Sequence, residues 1–232
     1  MTRPAVSKEL ERKEFSDLNR KDNIYESKKF KKTLEGHRSH CCSSDYDGSS
    51  GRLRLKTDKA SKSVTITATT QGKFTDKDTM HCVVFNDGKM ARHAMFVTGC
   101  TPAKFHEALE KVGGTPWNTT DKELKDGEYT DGQKVKVTLT WKGQDEPVEL
   151  SSILVTNGGK HPDTDIRFSG NKKNIDKAGS GCILCLNSCW AGITSNAAYA
   201  FNDIDSGKVN MKLDKDTAPK DAQKVKVTFT LE

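Results

Sequence analysis

Three thiols fall within eight residues of one another in Gly179-Ser-Gly-Cys182-Ile-Leu-Cys185-Leu-Asn-Ser-Cys189-Trp-Ala-Gly192. The C-x2-C-x3-C spacing, with glycine on both sides, lets the cysteine side chains converge on one centre while backbone amides turn toward the sulfurs. Soft thiolate ligands select iron–sulfur clusters, zinc or Cu(I). A cluster or a tetrahedral zinc ordinarily takes four ligands, and this loop offers three. Cys82, Cys100, Cys41, Cys42 or a histidine supplies the fourth, or one position stays open. An iron–sulfur cluster ranks first. Zinc follows, because no second C-x2-C or H-x3-H completes a standard pair of knuckles. A disulfide with spare thiols is the remaining reading. Seven cysteines make an odd number, so they cannot all pair within one chain.

Other residues capable of chemistry carry weaker signals. Alternation places Cys82 on one face with Met80 and Val84, which suits a buried small hydrophobe better than a ligand. Cys100 ends a strand, and His81, Cys82 and His93 stand on opposite arms of an expected hairpin. His106 reads as a surface residue. His37-x2-His40-Cys41-Cys42 sits in a polar setting that suits adventitious metal binding. Ser180, Ser188 and Ser195 have no His/Asp frame, so a hydrolase triad is unsupported. There is no G-x-G-x-x-G after a strand and no Walker loop.

The elements that must hold the loop follow from patterning. Arg52–Lys56 and Lys62–Thr69 alternate with period two and are rich in β-branched residues. Met80–Phe85, the turn Asn86-Asp-Gly88 and Lys89–Thr98 read as a hairpin. Thr101 as N-cap, Pro102 at the first helical position and Gly113-Gly114 as the stop define one helix over 102–112, with Phe105, Ala108, Leu109 and Val112 on one face. Asp131–Thr140 and Asp221–Thr230 agree at eight of ten positions. Two half-exposed strands meeting the same need for solvent-facing lysine explain this better than duplication. The expected fold is a β-dominated α+β domain with antiparallel sheets, one main helix and a surface-lying Gly/Cys cofactor loop at 179–192.

Charge divides the chain. The 232 residues carry a formal charge of +6, and residues 1–62, with 16 Lys+Arg against 10 Asp+Glu, hold all of it. Residues 1–51 are too sparse in large apolar side chains for a core and read as a basic polar arm, followed by a β-rich domain over 52–232. The body has no basic stripe interleaved with aromatics, which argues against nucleic acid as a partner. No stretch approaches the ~20 apolar residues of a membrane helix. The first residues lack the apolar core of a secretory signal, so the chain is expected to be cytoplasmic or to have lost a leader.

From about Val64 onward the sequence resembles the YdjY-type family of small ferredoxin-like proteins. The resemblance rests on Gly72-Lys-Phe, Arg92-His-Ala-Met-Phe-Val-Thr98, Pro102-Ala-Lys-Phe-His-Glu-Ala-Leu109, Phe168-Ser-Gly-Asn171, Gly181–Cys189 and Ala191–Tyr199. It implies Cys182, Cys185 and Cys189 as ligands of an iron–sulfur cluster, expected here to be a [4Fe–4S] centre, and an extracytoplasmic location. The bacterial ferredoxin run C-x2-C-x2-C-x3-C-P is incomplete here, since one cysteine is missing and Trp190 stands where proline would follow. The function expected is one-electron transfer to a redox partner protein, by a carrier rather than an enzyme. The rival is an assembly subunit that docks on like subunits through its arm and uses the cysteine loop as a zinc or disulfide clamp.

Overall fold

The computed structural model describes residues 55–117 and 123–232. The polar arm, the boundary near 51, and the histidines and cysteines at 37–42 lie outside the described residues.

Eight strands close on themselves. In spatial order they are β2 (Ser63–Thr70), β12 (Lys224–Leu231), β5 (Gln133–Trp141), β8 (Ile166–Phe168), β10 (Thr194–Asn196), β9 (Cys182–Cys185), β3 (His81–Phe85) and β4 (Ala94–Thr98). The ring shuts where Ala68, Thr69 and Thr70 of β2 face Thr98, Val97 and Phe96 of β4. Two seams, β9–β10 and β3–β4, are parallel, and the others are antiparallel. β1 (Leu55–Asp58) extends β2, β6 (Gln144–Glu149) extends β5, and β7 (Leu154–Val155) pairs with β11 (Lys212–Leu213).

The architecture corrects the expected α+β domain with antiparallel sheets. It is a closed, mixed β-barrel with two α-helices among the described residues, α1 (Pro102–Lys111) and α2 (Lys172–Ala178). Closure removes most exposed edges, which an open sheet would have to protect. Period-two patterning marks each strand's buried face but carries no information on closure or on which neighbours run parallel.

The near-copy segments are neighbours in the barrel. β5 and β12 pair antiparallel, with Leu139, Val137 and Val135 facing Val227, Phe229 and Leu231. All six side chains are buried, whereas Lys224 and Lys226 remain exposed. Thr65 and Thr228 join hydroxyls at 2.9 Å across the β2–β12 seam.

The expected hairpin over 80–98 is not formed, because β3 and β4 run parallel, with His81, Val83 and Phe85 facing Ala94, Phe96 and Thr98. The turn after β3 finds its partners elsewhere. Phe85 N–H donates to Gly181 O at 2.8 Å, Lys89 N–H to Gly179 O at 3.0 Å and Met90 N–H to Ser180 O at 3.2 Å. A 3₁₀ turn at Ala91–His93 then redirects the chain into β4. Gly88 crosses Gly181 so closely that a Cβ on Gly88 would stand 2.6 Å from Gly181 Cα.

α1 forms as its capping residues dictate: Thr101 accepts from Lys104 N–H at 3.3 Å, Pro102 opens the helix and Val112 caps its end. Phe105 packs edge-on against Phe229 of β12 at 4.6 Å between centroids. His106, expected at the surface, is 5% exposed and stacks edge-on against Phe168 at 4.9 Å. Its Nδ1 lies 3.1 Å from Glu110 Oε2. Burial holds the imidazole below its usual 6.5, with the Glu110 carboxylate opposing the shift.

That depression sets a direction for acid stability. The unfolded chain binds the His106 proton more readily than the folded chain does, so this contribution is intact above about pH 6.5 and is lost as pH falls toward the folded value. Urea unfolding of wild type at pH 7.5 and 5.5 is expected to show a loss of stability that shrinks in His106→Gln. An equal loss in the two proteins would assign acid sensitivity to other groups.

Candidate metal centre

β9 is short and entirely buried, and it carries two of the three loop cysteines. A regular strand sends residues three apart to opposite faces. β9 is irregular where it meets β3. Val84 faces Cys182 and Val83 faces Leu184, which leaves Ile183 as an extra residue; His81 then faces Cys185, which leaves Cys82 over in β3. Such bulges reset the alternation and re-aim side chains. The result is a group in which one ligating atom each of His81, Cys182 and Cys185 lies within 4.8 Å of the others.

The hydrogen bonds fix the protonation pattern. His81 Nδ1 lies 3.4 Å from Cys182 Sγ. Cys185 interacts with both Cys182 and Cys189, although the third loop cysteine is not part of the group within 4.8 Å. The Cys185 hydrogen bond, helped by His81 and Ser180 and opposed by burial, brings the Cys182 thiol down to about 5. Cys185 moves the other way, because its bonds to Cys182 and Cys189 and its burial all hold the proton on. His81 is raised: its own desolvation works against the charge, but the bond and attraction to Cys182 outweigh it. The group therefore biases Cys182 toward the thiolate, His81 toward its charged form and Cys185 toward the thiol.

The surrounding backbone fastens this arrangement. α2 starts at its cap Asn171, which accepts from Lys173 and Asn174 N–H groups, and ends at Gly179 in the left-handed conformation. Lys89 Nζ donates to Ala178 O at 2.9 Å, over the helix C-terminus. Ser180 Oγ donates to Ala191 O at 2.9 Å and accepts from Cys182 N–H at 3.3 Å, so the two ends of the cysteine loop are tied together. Leu186 N–H donates to Met80 O at 2.7 Å, and Ser188 N–H to Tyr199 O at 2.9 Å. Gly192 backs onto the site, for a Cβ there would stand 3.0 Å from Cys185 Sγ.

The loop was expected at a surface, on the strength of its glycines and serines. The structure buries it: Cys182 is 1% exposed, Cys185 0% and Cys189 5%. Small residues serve close packing here. The serines are used structurally, in a buried run in which Ser169 bonds Ser195 at 2.8 Å, Ser195 bonds Thr130 at 2.8 Å and Thr130 bonds Ser188 at 3.2 Å.

Neither residue named as a specific fourth ligand belongs to the group within 4.8 Å. Cys82 and Cys100 lie in the hydrophobic core, and burial raises both thiols, Cys100 to about 12. His81 is the residue that joins Cys182 and Cys185 in that group, and sequence reasoning did not single it out. Its only sequence signal was adjacency to Cys82; the β3–β9 register that brings it to Cys185 pairs residues about a hundred positions apart. All five described cysteines are free thiols.

The group offers two sulfurs and one imidazole nitrogen, with the Cys189 thiol next to Cys185, and such donors suit a soft or borderline transition metal. With metal–sulfur bonds of about 2.3 Å, a single tetrahedral ion wants neighbouring sulfurs roughly 3.8 Å apart. The compact His81–Cys182–Cys185 grouping agrees with that. A four-iron cube interposes its own iron and sulfide atoms between the cysteines and requires them to spread.

Comparison with known proteins gives two matches. A family model described as the YdjY domain matches residues 55–230. "Uncharacterized protein YdjY" of Escherichia coli (strain K12) is 32% identical over 188 residues, which is 81% of this chain and 83% of that protein. No solved structure matches.

In the reduced, metal-free protein, the near-ultraviolet absorbance of one thiolate is expected to disappear on acidification with a midpoint near the Cys182 value of about 5. His81→Gln should move that midpoint upward. A titration unchanged by the substitution would sever the pair.

Proposed function

The chain belongs to the YdjY family, and we propose that it is an electron carrier whose iron centre is held by Cys182, Cys185 and Cys189, with His81 as the fourth ligand. The observation that carries this reading is the convergence of the Cys182 and Cys185 thiols with the His81 imidazole in one group, beside the buried Cys189.

Burial argues for electrons over substrates. Electrons reach a metal through packed protein, whereas a reacting molecule needs an opening, and all three cysteines are closed from solvent. His81 is the half-buried member of the set. Its partly exposed ring, 3.4 Å from Cys182 Sγ, offers a connection between the sulfurs and the surface, where a redox partner protein would dock. An iron centre so bound supplies one reversible electron step.

A purely structural metal is a weaker account. Domains that depend on zinc for folding are small and lack a sufficient core. Here Ile66, Phe96, Phe105, Leu139, Phe168 and Phe229 are fully buried in a barrel closed by its own hydrogen bonds. A clamp would add little to it. No helix of the described residues is long and apolar enough to cross a membrane.

Iron, zinc and acid-labile sulfide per chain, measured with electron paramagnetic resonance on protein purified without oxygen, test the proposal. Iron that is lost in Cys182→Ala and Cys185→Ala, with a signal that responds to dithionite, is the expected result. Sulfide in equal amount to iron would make the centre a cluster, and iron without sulfide a single ion. Zinc in place of iron would overturn electron transfer and turn the site into the clamp of an assembly subunit.

A further inference from the structure

Asn187 lies at the middle of the five-residue stretch from Cys185 to Cys189. It is 0% exposed, and neither its Nδ2 nor its Oδ1 has a hydrogen-bond partner. The fold meets the needs of comparable side chains around it. Asn196, equally buried, accepts from Asp165 and Ala198 N–H groups and donates to Asp163 O. Ser188, the next residue, accepts from both the backbone and the hydroxyl of Thr130. A carboxamide stripped of water and given nothing in return destabilises the chain that carries it. The donor end is the more telling, because orphaned buried N–H groups are rarer than under-satisfied carbonyls.

The ligand set has the complementary need. Cys182 already faces His81 and Ser180. Cys185 and Cys189 flank Asn187 in the chain, and the groups that act on the Cys185 thiol are those of Cys182 and Cys189, with His81 within 4.8 Å. Once deprotonated around a metal, Cys185 and Cys189 become buried acceptors carrying negative charge, and thiolate centres are tuned by N–H groups directed at their sulfurs.

We propose that Asn187 is a positioning residue of the metal centre, its side-chain N–H groups donating to the sulfurs of the loaded site. This rests on the iron reading above. The side chain finds no partner among the protein's own groups and becomes paired when the thiolates form. It holds the Cys185–Cys189 segment in its ligating conformation and favours the reduced state by spreading the added charge.

The test compares wild type with Asn187→Leu, a near-isostere without polar atoms, and with Asn187→Ala should the first variant fail to fold. Metal-free Asn187→Leu is expected to melt at or above the wild-type temperature, since it no longer buries an unpaired amide. The iron-loaded variant is expected to yield its metal to a chelator about ten- to a hundredfold more readily, the range typical of lost outer hydrogen bonds. Its reduction potential should be more negative than that of wild type. Unchanged iron affinity and potential would overturn the role of Asn187 and leave the iron centre standing. A metal-free variant destabilised as much as the loaded one would also overturn it, by making the residue a structural part of the loop. Wild-type protein without iron would overturn both readings, and that result appears before any substitution is made.

Discussion

The irregular seam between β3 and β9 is the constraint on which the molecule turns. Those strands must pair to complete the barrel, yet a regular ladder would send Cys182 and Cys185 to opposite faces. One extra residue in each strand resolves the conflict. Ile183 is left over in β9, which brings the two thiols together, and Cys82 is left over in β3, which keeps that thiol in the core while His81 comes level with Cys185. Barrel closure and site assembly are thus one structural event.

The chemistry inherits this arrangement. The Cys182 and Cys185 sulfurs and the His81 imidazole are packed with little access to water, so each proton and charge has to be shared among them. Cys182 is biased toward the thiolate, His81 toward its charged form and Cys185 toward the thiol. A cation bound by the group would replace the shared protons with metal–ligand bonds. The serine and threonine hydroxyls beyond it are already committed to one another, and they give the cysteine loop a rigid backing.

Local chemistry made much of this legible in the sequence. Thr101-Pro102 and Gly113 placed α1 to within a residue, alternation found the buried faces of β2, β5 and β12, and the C-x2-C-x3-C spacing pointed to Cys182 and Cys185, which the fold brings together with His81. What escaped depends on contacts between distant residues. The turn Asn86-Asp-Gly88 has hairpin composition, but Phe85, Lys89 and Met90 on either side of it donate to residues 179–181, and no local rule anticipates a partner ninety residues away. His106 looked exposed because its polar ring is covered by Phe168, from a strand some sixty positions later. Glycine and serine around the cysteines suggested a loose surface loop, whereas they permit close packing in the interior.

The crossing of Gly88 and Gly181 has a consequence for how this sequence can vary. Each glycine occupies the space that a side chain on the other would need, and Gly181 also has φ +75, a backbone conformation unsuited to larger residues. Crowded contacts elsewhere in a protein can be relieved by shrinking the neighbour, so that a harmful change at one position is tolerated after a second change nearby. Here the neighbour is already the smallest residue available. The pair has no compensating substitution, and drift through the rest of the barrel must pass around these two positions.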